Sequence, residues 1–185
     1  RITSMINLVQ ANYYGSFNDD LTLIISEFFI VDKNGTDPWT PSTDPSALLS
    51  SFRNWGPTNF GQHDVGELFT NRDFDGGTVG IAYLSAVCTS NRYNCIQDWT
   101  NNLSLLRVTI AHELGHNFSC QHDGSGTPYI MAPAVNNTNT WSSTSITSFN
   151  NFVPSRTCLA ACSGGGLPPE ADFSANILEG CKPLT

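Results

Sequence analysis

The chain has 185 residues, enough for one compact domain with a short appendage and too few for two catalytic domains in series. Hydrophobic residues make up 39% and charged residues only 13%, which excludes a charge-driven disordered chain and a long coiled coil. A formal net charge of -8 repels phosphate backbones and anionic membrane surfaces, so nucleic acid is not an expected partner.

Ile2, Ile6, Val9 and Tyr13 recur at intervals of three and four, which predicts an amphipathic helix over residues 2–14, stopped by Gly15. Residues 21–31 form a dense, partly β-branched and aromatic run without alternation. That pattern predicts a strand buried on both faces of a mainly parallel sheet, ended by a turn at 32–35. Ser26 and Glu27 interrupt this longest apolar run, which falls well short of the roughly 20 residues needed to cross a bilayer. A Pro-rich loop follows, and Asp44-Pro45 opens a helix through Ala47, Leu48, Leu49 and Phe52. Residues 65–69 predict a short strand, 73–77 a turn, and 78–87 a second apolar run flanked by glycines. Helices and strands therefore alternate, as in an α/β domain. Residues 164–169 are rich in Gly and Pro and predict a boundary. It divides the chain into a main domain over 1–163 and a linker with the start of something else over 164–185.

The six cysteines (Cys88, Cys95, Cys120, Cys158, Cys162 and Cys181) contain no Cys-x-x-Cys pair. Disulfides in an oxidising compartment, and so a secreted, extracellular protein, are the expectation. Residue 1 is Arg and no charged-then-apolar leader follows, as in a processed form or a chain whose targeting segment is absent.

Residues 101–118 carry the chemistry. Leu106, Ile110, Leu114 and Phe118 fall four apart on one side of a helix, while His112 and His116 fall four apart on another. Two imidazoles at this spacing face one point and suit a single Zn²⁺, and Glu113, beside the first, can act as general base on a metal-bound water. His122 lies six residues after His116, which on a continuous helix is about 240° around the axis and away from the metal. The helix must therefore break between residues 117 and 121 for His122 to return. Ser119 stands where such a turn usually has Gly, and a left-handed Ser costs on the order of 1 kcal/mol.

The string from His112 through Asp123 resembles the zinc-binding consensus of the metzincin metallopeptidases, and Asp123 after the third histidine resembles the adamalysin (reprolysin, ADAM-type) branch. Residues 129–133, Tyr-Ile-Met-Ala-Pro, resemble the Met-turn of that clan, with Met131 as its methionine, although only eight residues separate Met131 from His122. Residues 68–83 are similar to the stretch that leads into the substrate-binding edge strand. Covering roughly residues 1–162, the resemblance implies a metzincin (zincin-like) α/β fold: a twisted mixed sheet, an active-site helix and a small C-terminal subdomain after the zinc motif. It implies a secreted zinc-dependent endopeptidase acting on polypeptides through a zinc-activated water. In it His112, His116 and His122 hold Zn²⁺ and Glu113 is the general base. It further implies that Val79, Gly80, Ile81, Ala82, Tyr83 and Leu84 pair with an extended substrate, that Ala132, Pro133 and Ala134 wall its pocket, and that Cys88 bonds Cys158. Pairing among Cys95, Cys120, Cys162 and Cys181 stays open. The family's domain ordinarily begins with a strand before the first helix. The resemblance thus implies that this strand is missing or is supplied by another polypeptide, such as a cleaved N-terminal segment or propeptide. Residues 169–185 resemble the opening strand of a PKD-like module.

Other readings are weaker. The Asn71-x-Asp73-x-Asp75-Gly76 string imitates half an EF-hand loop, but Ala82 stands where a bidentate Glu is required, so a turn is expected and Ca²⁺ has no support. His63 has no partner spacing and reads as structural, and Tyr129 reads as packing. A catalytically weak or latent metzincin-like binding module is the main alternative. A closed structural zinc site would need Cys120 or Cys181 as fourth ligand. For Cys120 a disulfide is expected instead, because a thiolate at the open position would displace the water.

Overall fold

In the computed structural model, which describes residues 2–18, 21–31 and 35–159, a three-stranded sheet separates two groups of helices. The turn expected at 32–35 falls largely outside the described residues, as do the boundary at 164, the PKD-like segment, Cys162 and Cys181. Strands β1 (Gly66–Thr70), β2 (Gly80–Ala82) and β3 (Tyr93–Gln97) lie in the order β1-β3-β2. β1 runs parallel to β3, with Gly66 opposite Tyr93, and β2 runs antiparallel to it, with Gly80 opposite Ile96. The fold is therefore mixed α/β with a small mixed sheet.

Because successive strand residues point to opposite faces, Tyr93 and Cys95 of β3 join Leu68 of β1 and pack with Leu48, Leu49 and Phe52 of helix α2 (Pro45–Asn59). Ile96 points the other way. It packs with Met5 and Val9 of α1 (Ile2–Tyr13) and with Leu106, Ile110 and Leu114 of α3 (Leu103–Asn117). Local chemistry fixes the helix starts. The Asp44 carboxylate accepts from the N–H groups of Ser46 and Ala47 ahead of Pro45, and the Asn102 side chain accepts from those of Ser104 and Leu105.

Helix α3 departs from a one-sided amphipathic pattern. Every residue from Leu106 to Asn117 is buried except His116, so the helix runs through the protein with core on all sides. Tyr13 donates its hydroxyl to the Ala111 carbonyl at 2.9 Å, and the Arg107 guanidinium reaches Asn12 Oδ1 at 2.6 Å and the Thr138 carbonyl at 2.9 Å. These bonds fasten α1 and the chain after the zinc motif to α3.

Two expectations need correction, and one strand has no counterpart among them. Residues 21–31 form no strand: they pair with no ladder, and Ile24 and Ile30 are 80% and 82% exposed. An apolar run becomes a strand only where a neighbouring backbone offers its N–H and C=O groups. Here the segment is held at its start by Gln10, which bonds the Leu21 carbonyl and the Leu23 N–H. The apolar run at 78–87 shrinks to β2, because the chain turns at Ser85 (φ 56°) to reach α3. The central strand β3 was not anticipated. Its buried Asn94 and Gln97 break the apolar pattern, yet Asn94 donates to Asn117 Oδ1 at 2.9 Å, while Gln97 accepts from the Phe74 N–H and donates to Asp73.

After the zinc motif, α4 (Ser143–Phe152) is capped by Ser142, whose hydroxyl accepts from the Ser145 N–H. Its Phe149 stacks on Phe17 at 3.8 Å, and Trp141 donates its indole N–H to the Asn12 carbonyl. The Cys88–Cys158 disulfide closes this end of the molecule, with a Cα–Cα distance of 5.8 Å. Among the described residues no helix is long and apolar enough to cross a membrane.

Candidate metal centre and active site

One helical turn brings His112 and His116 to the same side of α3, and the helix then ends so that His122 can join them. The end is a Schellman motif: the Ser119 N–H donates to the His116 carbonyl at 2.9 Å and the Cys120 N–H to the Gly115 carbonyl at 2.8 Å. This motif requires a left-handed residue between the two donors' partners and the departing chain, and Ser119 takes it with φ 77°. Beyond the turn, Nε2 of His122 lies 3.2 Å from that of His116 and 3.1 Å from that of His112.

Both helical rings are oriented from behind. Nδ1 of His112 faces the Ile130 carbonyl at 2.8 Å and Nδ1 of His116 faces the Cys120 carbonyl at 2.7 Å. A carbonyl only accepts, so each Nδ1 carries the proton and each Nε2 presents a lone pair to the common centre. Burial holds both rings down to about 4, the neighbouring imidazoles adding to that effect, so they are neutral at physiological pH. Three imidazole nitrogens on one tetrahedral zinc, each about 2.0–2.1 Å from the ion, stand about 3.3 Å apart. The triad fits that ion in donor type and spacing, and among the described residues no other protein donor joins the three histidines.

Cys120 is not a fourth ligand. Its thiol is buried and directed at the Ser145 carbonyl, 3.5 Å away, while only its backbone oxygen serves the site. Burial, with the Asp123 charge behind it, pushes that thiol up to about 12. Nor is it in a disulfide among the described residues: Cys95 and Cys120 are both free thiols there, enclosed in core, Cys95 beside α2 and Cys120 in the cluster around α3. A closed site capped by Cys120 is thereby overturned.

Glu113 is buried against the edge strand. A Cβ built on Gly80 of β2 would lie 2.5 Å from Glu113 Oε1, so only glycine lets the strand approach the carboxyl this closely. Burial first, and then the charge of Glu67 on β1, raise the Glu113 carboxyl to about 8. Glu67 is itself raised to about 8 by burial, offset in part by Asn94. Neither Gly80's contact nor the role of Glu67 is legible from motif spacing.

Of the other residues singled out by sequence, Val79 to Tyr83 lie along β3. The Gln97 N–H donates to the Val79 carbonyl and the Tyr83 N–H to the Tyr93 carbonyl, on either side of β2, while Leu84 is 48% exposed. The opposite edge of β2 pairs with no strand among the described residues. Met131 is fully buried, its Sδ 2.7 Å from where a Cβ on Gly115 of α3 would stand. Asp123 secures this turn, giving its N–H to the Met131 carbonyl and accepting the Ser142 hydroxyl. Ala132 is buried, whereas Pro133 and Ala134 are on the surface. His63 bonds the Gly61 carbonyl and the Tyr93 hydroxyl, away from the triad. Asp75–Gly77 is a turn with Gly76 and Gly77 at positive φ.

Comparison with known proteins matches residues 1–149 to the model of metallo-peptidase family M12, of the reprolysin type. The snake venom metalloproteinase atroxlysin-1 of Bothrops atrox is 34% identical over 144 residues, 73% of this chain and 69% of that protein. The zinc metalloproteinase barnettlysin-1 of Bothrops barnetti is 34% identical over 143 residues, 72% of this chain and 68% of its own length. A zinc metalloproteinase-disintegrin-like protein of Cerberus rynchops is 37% identical over 128 residues, 66% of this chain but only 20% of that longer protein. Three imidazoles converging as zinc requires, with a buried carboxyl at their side and a match over most of the chain, agree on one conclusion: the protein is a zinc metalloproteinase of the M12 reprolysin family.

Proposed function

We propose that the chain is a secreted endopeptidase in which Glu113 moves the proton of the attacking water and β2 holds the substrate extended. The observation that carries this reading is the contact between Glu113 and Gly80, which sets the carboxyl against the free edge of the sheet beside the metal ligands. Bound zinc supplies Lewis acidity toward water and the scissile carbonyl, and its positive charge favours the ionised form of Glu113. His112, His116 and His122 hold that ion. The Glu113 carboxylate then accepts the proton from water and delivers it to the departing amine. An extended peptide adds to the open side of β2 through residues 79–84, with Ala132, Pro133 and Ala134 beside one of its side chains and Met131 supporting the triad from below.

Secretion is supported by the Cys88–Cys158 disulfide and by the likeness to atroxlysin-1, a snake venom metalloproteinase by name. A cavity of about 840 Å³ lies between residues 23–31 and the outer edge of β1, with Ile2 and Ile6 of α1 at its wall. Residues 23–31 and β1 face each other across it, a gap that suits one further strand and supports docking there of another polypeptide, such as a cleaved N-terminal segment or propeptide. Residues 164–185 are read as a linker to a PKD-like module on sequence resemblance alone.

Glu113→Gln tests the catalytic assignment. Loss of a general base lowers kcat by about 10²–10⁴-fold, while zinc content by elemental analysis stays at the native level. Turnover of a quenched peptide at the native rate by the zinc-loaded variant removes Glu113 from the mechanism.

A further inference from the structure

Two non-glycine residues with left-handed backbone meet behind the metal ligands. Ser119, at φ 77°, ends α3, and Ser85, at φ 56°, follows the edge strand. Ordinary L-residues avoid this region, and either position would suit glycine better on backbone grounds alone. Both side chains are instead engaged with each other: the Ser85 hydroxyl donates to the Ser119 hydroxyl at 2.9 Å. The backbones are joined at the same place. The Ser85 N–H donates to the His116 carbonyl at 2.9 Å, and the next two N–H groups, of Ala86 and Val87, donate to the Asn117 carbonyl at 2.9 and 3.2 Å. The carbonyls that α3 cannot satisfy internally are thus capped by the loop leaving β2.

We propose that Ser85 and Ser119 are a pair of positioning residues, whose hydroxyl bond locks the loop after the substrate-binding edge to the turn that presents the zinc ligands. The geometry on either side of the bond says what it transmits. Ser119 precedes Cys120, whose carbonyl fixes the His116 ring at 2.7 Å, and it starts the three-residue path to His122. Ser85 follows Tyr83 and Leu84, and the Tyr83 carbonyl accepts from Asn117, the last residue of α3. A shift of the edge loop is therefore carried, alongside these backbone bonds, through the hydroxyl pair into the orientation of one ligand ring and the course of the chain to the next. With both hydroxyls in place, the triad keeps its spacing although no regular structure spans residues 118–131. Neither serine touches the reacting atoms; both act through the histidines.

Glycine substitution separates this role from ordinary structural support. Ser119→Gly and Ser85→Gly each remove a hydroxyl while relieving the left-handed backbone, so thermal stability is unchanged or raised. Zinc affinity, measured by competition with a chromophoric chelator, is expected to fall roughly fivefold in each single variant, the scale of one lost hydrogen bond. In the Ser85→Gly/Ser119→Gly double variant it falls by no more than in either single one, because the two changes break the same bond. The visible absorption of the Co²⁺-substituted protein should shift in all three variants alike, reporting altered ligand geometry. Native zinc affinity and an unchanged Co²⁺ spectrum in Ser119→Gly overturn the proposal, as does a double variant whose loss is the product of the two single losses. The inference rests on the triad being a zinc site: failure of the native chain to bind zinc defeats that reading, whereas native-like binding by the variants defeats the serine pair only.

Discussion

Replacing Gly80 by alanine adds one methyl group at a place where the structure has no room for it. The added Cβ would stand 2.5 Å from Oε1 of Glu113, 2.7 Å from its Cγ and 2.8 Å from its Cδ. Ordinary contact between heavy atoms needs about 3.5–4.0 Å, so the carboxyl must retreat by about 1 Å. The backbone of β2 is held to β3 by its ladder, and the Glu113 side chain is the part that yields. Displacing a reacting group by about 1 Å costs roughly 10²-fold in rate, or about 2.7 kcal/mol of transition-state stabilisation. The triad lies outside this clash, so zinc content should stay at the native level. Steady-state kinetics on a quenched peptide, paired with elemental analysis, read both quantities. A kcat within about threefold of native would show that Glu113 tolerates the shift and that its placement against the sheet edge is not what sets the rate.

Two further outcomes bear on stability. The Glu67 carboxyl, raised by burial from 4.5 to about 8, holds its proton in the folded chain after the unfolded chain has released it. Its contribution to stability is complete below pH 4.5 and is lost as pH rises toward 8. Glu67→Gln has no proton to lose, so its urea stability relative to native should grow across that window by up to about 1.4 kcal/mol per pH unit, and a difference independent of pH contradicts the account. Cys88 and Cys158 are 70 residues apart, and cross-linking a loop of that size stabilises by about 4 kcal/mol on chain-entropy grounds. The Cys88→Ser/Cys158→Ser variant should melt well below the native chain, and equal melting temperatures would deny the disulfide that role.

The metal ligands were legible because their geometry is local. A helix fixes where residues four apart point, and the six-residue step to His122 makes no sense unless the helix stops, which by itself implies the left-handed turn found at Ser119. Gly80 and Glu113 were each visible, but not their contact, since it joins a strand and a helix 33 positions apart and leaves no periodic trace. The central strand was hidden because Asn94 and Gln97 are buried through side-chain hydrogen bonds rather than apolar character. Residues 21–31 misled in the opposite sense. Their apolar content signals a need for cover without specifying which backbone provides it. Helix α4 offered little beyond Ile146 and Phe149 among serines and threonines, and it is the aromatic packing of Phe149 on Phe17, far away in sequence, that holds it.

His112 is steered by the carbonyl of Ile130, and α1 is pinned by Trp141 and Phe149, so the proteolytic centre depends on residues made after the ligands themselves. A chain emerging from the ribosome with its three histidines already synthesised has no backbone to orient the first of them. The metal site is therefore a property of the folded domain and not of its ligand-bearing segment: a chain stopped at residue 122 would carry all three histidines without the carbonyl and aromatic contacts that place them.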